Sequence, residues 1–362
     1  MGEYSRTLPE RTMGLDLGDK YSHYCLIDRE GEEIESGRVA TRAEALEAKF
    51  HSIGAGRVVM ETGTHSPWVS RLAERCGQEV IVANARKVEL ISKNRRKRDQ
   101  VDAELLARLG RSEPELLYAV KHRGEEAQRG LVLLKSREAL VKARTQLITH
   151  LRGAVKSLGV RLPSCSPECF HVRMVGQIPA GLGGLGGSLL EVIGKLTEQI
   201  RRLDREVERF CRQEYPETEL LRQVQGVGPL TSLAYVLVLE DPGRFERARS
   251  VGNYVGLCPA QDDSGEQTPQ LRISKEGDSM LRRLLVGSAQ YLLGPHGVDS
   301  DLRRWGLKLA ARGGKNAKKR AVVAVARKLA VLLYVLWSRA EVYEPLRGRA
   351  EVGAEPACAL TA

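Results

Sequence analysis

The sequence lacks an uninterrupted apolar run that reads as a membrane span. Its most apolar late stretch, Ala321 to Trp337, carries Arg327 and Lys328 near its centre. Charges there are costly in hydrocarbon, so the stretch reads as a buried helix and no membrane partner is expected. No secretory leader is expected either, because the opening MGEYSRTLPERTM is polar, with no apolar core and no small-residue cleavage site. Cysteine provides no disulfide framework. Seven are scattered from Cys25 to Cys358, an odd number that fits a reducing compartment, and a cytoplasmic protein is expected. Cys165, Cys169 and His171 lie close together, but no fourth ligand follows at a recognised zinc spacing. Negative charge is in deficit: 57 Lys and Arg against 46 Asp and Glu leave +11. A positive surface favours polyanions, nucleic acid first and anionic membrane second.

What is present is length enough for two or three cores, with 42% of 362 residues hydrophobic. From Thr12 to about Arg111 short apolar strands alternate with helical stretches. MGLDLG, YSHYCLID and EIESGRVA read as a meander, followed by a helix near Arg42 to Phe50, the strand RVVMET, a second helix, the strand EVIVAN and a third helix beginning near Asp99. This order matches an α/β RNase H-like domain over residues 1–118.

Beyond Lys121 the spacing becomes helical. Leu140, Leu147, Leu151, Ala154 and Leu158 form one heptad seam, and Leu189, Ile193, Leu196, Ile200, Leu203, Val207 and Phe210 form another. Residues 119–215 therefore read as a helical coiled-coil insert. Between the seams, Pro163, Pro167, Pro179 and the run GLGGLGGS from Gly181 predict a loop, because glycine and proline disfavour helix. After Pro216 a mainly α carboxy-terminal domain spans 216–345. Residues 346–362 are small and polar, and disorder is expected there.

Four acids carry the functional argument. Asp16 sits in the apolar first strand, Glu61 ends RVVMET, and Asp99 and Asp102 lie three apart at the start of a helix, where both can face one way. Singly, each has an ordinary reading: a strand end facing water, a turn residue, an acid at a helix amino terminus. Together they stand where an RNase H-like fold gathers metal ligands. Hard oxygen donors suit Mg²⁺ or Mn²⁺, and paired ions roughly 3.5 to 4 Å apart can serve both the attacking and the leaving oxygen of a phosphate. Lys93, Arg95, Arg96, Lys97 and Arg98 flank the acids and read as a phosphate grip or a solvated basic face.

The segments GLDLGDKYSHYCLID, METGTHSPWVSRLAERCGQEVIVANARKV and KRDQVDAELLAR, with QGVGPLTSLAYVLVLEDPGRFERARSVGNYVGLCPAQDDSG and ISKEGDSMLRRLL later, make nearly the whole chain resemble a known family. It resembles the DEDD-type transposases of the insertion-sequence one-ten family, recombinases guided by a bridge RNA. The resemblance implies a RuvC-like domain, a coiled-coil insert and a transposase domain. It implies a homo-oligomer, dimer assembling to tetramer, acting on double-stranded DNA with a bridge-type guide RNA. It also implies that the metal-binding tetrad falls on Asp16, Glu61, Asp99 and Asp102, and the nucleophilic serine on Ser264. Asp-Asp-Ser-Gly has by itself the composition of an ordinary turn. With the resemblance, its hydroxyl attacks a DNA phosphodiester and keeps the bond as a phosphoserine.

Arg272, Lys275, Arg282 and Arg283 would then surround that serine with positive charge. Gly226 and Gly228 in QGVGPLTS resemble a helix-hairpin-helix turn whose N–H groups approach a phosphate. Lys315, Lys318, Lys319 and Arg320 add a basic cluster before the last helix. Three rival readings differ in chemistry. One is a RuvC-like junction nuclease that uses water, and another is a catalytically inert nucleic-acid-binding descendant. The third is an actin-like or sugar-kinase-type ATPase, for which no second phosphate loop or adenosine motif is found.

Overall fold

The computed structural model describes residues 8–85, 99–261, 269 and 271–347. The chain divides into two compact units, residues 1–124 and 125–362.

The first unit is built on a mixed five-stranded sheet in the order β3-β2-β1-β4-β5. Its strands are β1 (Arg11–Asp16), β2 (Tyr21–Asp28), β3 (Glu33–Ala40), β4 (Arg57–Glu61) and β5 (Glu79–Ala83). The first three form the expected antiparallel meander, while β4 and β5 add to β1 in parallel. Alternation along the strands sorts side chains to two covered faces. Met13, Leu15, Val58 and Met60 face a core completed by helices α1 (Ala43–Ser52) and α2 (Ser66–Arg75). Val59 and Ile27 face the other way, toward Leu106, Ala103 and Ala107 of α3 (Asp99–Ser112).

Two glycines let α3 lie directly on the sheet. A methyl group at Gly14 would come within 1.9 Å of the Ala103 carbonyl oxygen, and one at Gly110 within 2.2 Å of Val59. At the amino end of β4 the fully buried Arg57 is hydrogen-bonded to Glu79 at 3.0 Å and to the Gly110 carbonyl at 2.6 Å, tying β4, β5 and α3 together.

The second unit is helical. Helices α4 (Glu125–Lys156) and α5 (Gly183–Gln213) pair antiparallel, since Arg144 meets Thr197, Arg137 meets Asp204 and Arg129 meets Glu214. The remaining long helices are α6 (Pro229–Leu239), α7 (Ser279–Leu293), α8 (Asp301–Ala310) and α9 (Ala317–Arg339). Leu233, Leu237, Leu281, Leu285, Val325, Leu329 and Leu333 share one core there. Among the described residues α9 is the one helix long and apolar enough to cross a membrane, yet its face from Ala321 to Leu336 is buried in protein, as expected.

Two expectations are corrected. The glycine run predicted as a loop is helical: Gly181 and Leu182 close a short 3-10 turn, and α5 begins at Gly183. Packing overrides propensity here, because Gly186 presses on Ile178 where a methyl group would come within 2.7 Å, and Leu190 enters a core with Phe170 and Met174. The first heptad seam is also displaced. Helix α4 stops at Lys156 and Leu158 is 52% exposed, while the covered face runs through Ile148, Leu151 and Val155 beside the buried Arg144. Gly159, at φ +76°, turns the chain away after the helix end. The second seam fits its expectation, with Ile193, Ile200, Val207 and Phe210 all buried.

Candidate metal centre

The parallel pairing of β1 with β4 sets Leu15 beside Met60. One step further along the same register, Asp16 and Glu61 are the last residues of these two neighbouring inner strands. Both are half-buried. The loops that follow are also joined, because His65 Nε2 lies 3.5 Å from Asp19 Oδ1 and Trp68 Nε1 donates to His65 Nδ1 at 3.0 Å. Helix α3, seated on Gly14, brings Asp99 and Asp102 in from its first turn. One carboxylate oxygen of Asp102 is shielded from solvent, whereas the Asp99 side chain is 69% exposed.

The structure adds a residue that sequence reasoning missed. His23 on β2 is paired directly with Asp16 across the hairpin, and its Nδ1 lies 3.5 Å from Asp99 Oδ2. One ligand atom from each of Asp16, His23 and Asp99 lies within 4.8 Å of the others. Two carboxylates and an imidazole form a donor set that fits a divalent cation. The signal in the sequence was the seven-residue offset from Asp16 to His23, which becomes meaningful only once a tight hairpin puts the two opposite each other. Glu47, His51 and Cys76 form a second such group, set on α1 and the end of α2 away from the strand-end acids.

Lys93, Arg95, Arg96, Lys97 and Arg98 lie outside the described residues, as does Ser264. The described residues to either side of Ser264 are tied together by an antiparallel bridge between Pro259 and Ile273, and Ala260 N donates to the Arg272 carbonyl at 2.8 Å. Lys275 follows with φ +58°. Arg282 and Arg283, expected around the serine, make structural contacts. Arg282 donates to the carbonyls of Glu276 (2.8 Å) and Val255 (3.2 Å). Arg283 on α7 is 2.5 Å from Glu138 of α4 and holds that carboxyl down at about 2. Gly226 takes a left-handed turn at φ +85°, and Gly228 precedes Pro229 at the start of α6. Lys315, Lys318, Lys319 and Arg320 are exposed at the amino end of α9.

Comparison with known proteins bears on what this arrangement serves. Residues 13–159 match a family model described as "Transposase", and residues 218–298 match one described as "Transposase IS116/IS110/IS902 family". The chain is 30% identical over 348 residues to a Coxiella burnetii transposase for insertion sequence element IS1111A, covering 92% of this chain and 91% of that protein. It is 29% identical to a probable family 20 transposase of Pseudomonas aeruginosa, with 92% and 98% covered. A Yersinia enterocolitica transposase for insertion sequence element IS1328 is 27% identical, with 93% and 99% covered.

Proposed function

We propose a mechanism from one premise: this chain belongs to the IS116/IS110/IS902 family of transposases, so its activity is DNA recombination and DNA is its substrate. The observation that carries the reading is the close approach of Asp16, His23 and Asp99, with Glu61 brought alongside by strand register. In this reading the sheet belongs to an RNase H-like domain. Asp16, Glu61, Asp99 and Asp102 hold Mg²⁺ or Mn²⁺ near a DNA phosphate. When bound, such an ion polarises the phosphate and offsets the charge that develops during displacement.

The protein's own part is to deliver a nucleophile and orient the strand. Ser264 Oγ attacks phosphorus, an Oγ–P bond forms, one P–O bond of the DNA breaks, and the serine proton passes to a base or water. The released strand end takes up a proton as a hydroxyl. Rejoining reverses this: a hydroxyl of another strand attacks the phosphoserine and Ser264 regains its proton. One phosphodiester is exchanged for another, so no external energy source is required. The basic segments 93–98 and 315–320 contact the DNA or a bridge-type guide RNA through phosphates. The chain works as a homo-oligomer, so that two strands are cut together.

Incubating the full-length protein with its element-end DNA and Mg²⁺ tests this reading. A covalent protein–DNA adduct is expected for the wild type, and Ser264→Ala is expected to lose both adduct and strand transfer. Asp16→Asn is expected to lower both rates by a factor of about 10³ or more. Strand transfer retained by Ser264→Ala would remove the serine from the chemistry and leave a water-using nuclease as the better account.

A further inference from the structure

We infer that His23 supplies a nitrogen ligand to the ion of the acidic site, which therefore takes a first-row transition ion such as Mn²⁺ in preference to Mg²⁺. The inference rests on the metal-dependent reading above. Residues directly opposed in an antiparallel pair put their side chains on one face, about 5 Å apart at Cβ, and His23 is opposed to Asp16. From the other direction α3 presents Asp99, 3.5 Å from the ring.

The hairpin register sets Asp16 beside His23, and the packing of α3 on Gly14 brings Asp99 to the same ring, so ligand atoms from three elements stand within 4.8 Å of one another. A packing histidine would have its ring covered, whereas the His23 side chain is 32% exposed and faces carboxylates. Donors held at roughly 2.1 Å from one ion sit about 3 Å from each other. Closing spacings of 3.5 to 4.8 Å to that value asks for donor shifts of up to about 2 Å, within the reach of side-chain rotation. The backbone itself is fixed, since β1 and β2 are inner strands of the sheet and Gly14 of β1 is pressed against α3.

The choice of metal follows from the donor. Mg²⁺ prefers oxygen ligands and gives up water reluctantly, whereas neutral imidazole is a ligand for transition ions. A nitrogen beside the carboxylates therefore raises affinity for Mn²⁺ and contributes little for Mg²⁺.

The test uses full-length protein without DNA, titrated with Mn²⁺ and separately with Mg²⁺ by calorimetry. Pulsed electron paramagnetic resonance of the Mn²⁺ form reads coupling to imidazole nitrogen. Nitrogen modulation is expected in the wild type and is expected to vanish in His23→Asn. Mn²⁺ affinity should fall about tenfold in that variant while Mg²⁺ affinity moves less than about twofold. Bound Mn²⁺ without nitrogen modulation in the wild type, or modulation persisting in His23→Asn, overturns the inference and leaves the metal-dependent reading standing. Absence of any Mn²⁺ binding to the wild type overturns both. The wild-type spectrum decides the matter even if the variant does not fold.

Discussion

Gly14 shows how much a missing side chain can determine. The obstruction facing it is backbone of α3, the Ala103 carbonyl at 1.9 Å and the Ala107 nitrogen at 2.5 Å from where a methyl group would stand. A flexible side chain could move aside, but a helix cannot do so without carrying its first turn along. Gly14→Ala is expected to destabilise the first unit by about 1–3 kcal/mol and to displace Asp99 and Asp102 from Asp16. Thermal melts and strand-transfer rates check this together, and wild-type values in both would show that α3 is not held there. At this scale the sequence was informative about identity more than about partnership. Asp16, Glu61, Asp99 and Asp102 could be proposed from the sequence only through their conjunction and the family resemblance, since each alone has an ordinary reading. His23 could not be, since an imidazole in an alternating strand looks like any half-exposed side chain until the hairpin register is known.

Among the elements, the strands were the most legible, because period-two alternation and short turns fix both position and face. Helix α5 was half legible. Its apolar seam from Leu189 onward could be read by spacing, but its glycine-rich beginning could not, because Ile178 and Phe170 stabilise it from outside the helix. The ties between helices were invisible, and Glu138 with Arg283 is the clearest. The arginine hydrogen bond, opposed by partial burial, holds the Glu138 carboxyl at about 2, below its ordinary 4.5. A carboxyl lowered in the folded state stabilises fully above the ordinary value and loses that contribution as pH falls toward the folded value. The link between α4 and α7 is therefore complete above pH 4.5 and lost as pH drops through about 2. Urea unfolding of the wild type should show a steeper loss of stability between pH 4.5 and 2 than Arg283→Gln. Equal slopes would mean that the pair contributes nothing.

Across the whole molecule, the two units enclose separate cores, one around the sheet and others among the helices. Calorimetry is expected to resolve two unfolding transitions. Arg57→Ala, which leaves Glu79 and the Gly110 carbonyl without their buried guanidinium, should lower one of them by about 3–5 kcal/mol and spare the other. A single transition shifted as a whole would contradict this. The pairing of β1 with β4 has a consequence for how such genes tolerate damage. Because a strand shows alternate residues to opposite sides, dropping one codon between Arg11 and Asp16, or between Arg57 and Glu61, would swing an acid to the far face of the sheet with composition almost unchanged. Because Met13 and Leu15, or Val58 and Met60, would leave their core together with the acid, copies of this element that lose one codon in those two stretches should yield protein whose first unit no longer folds.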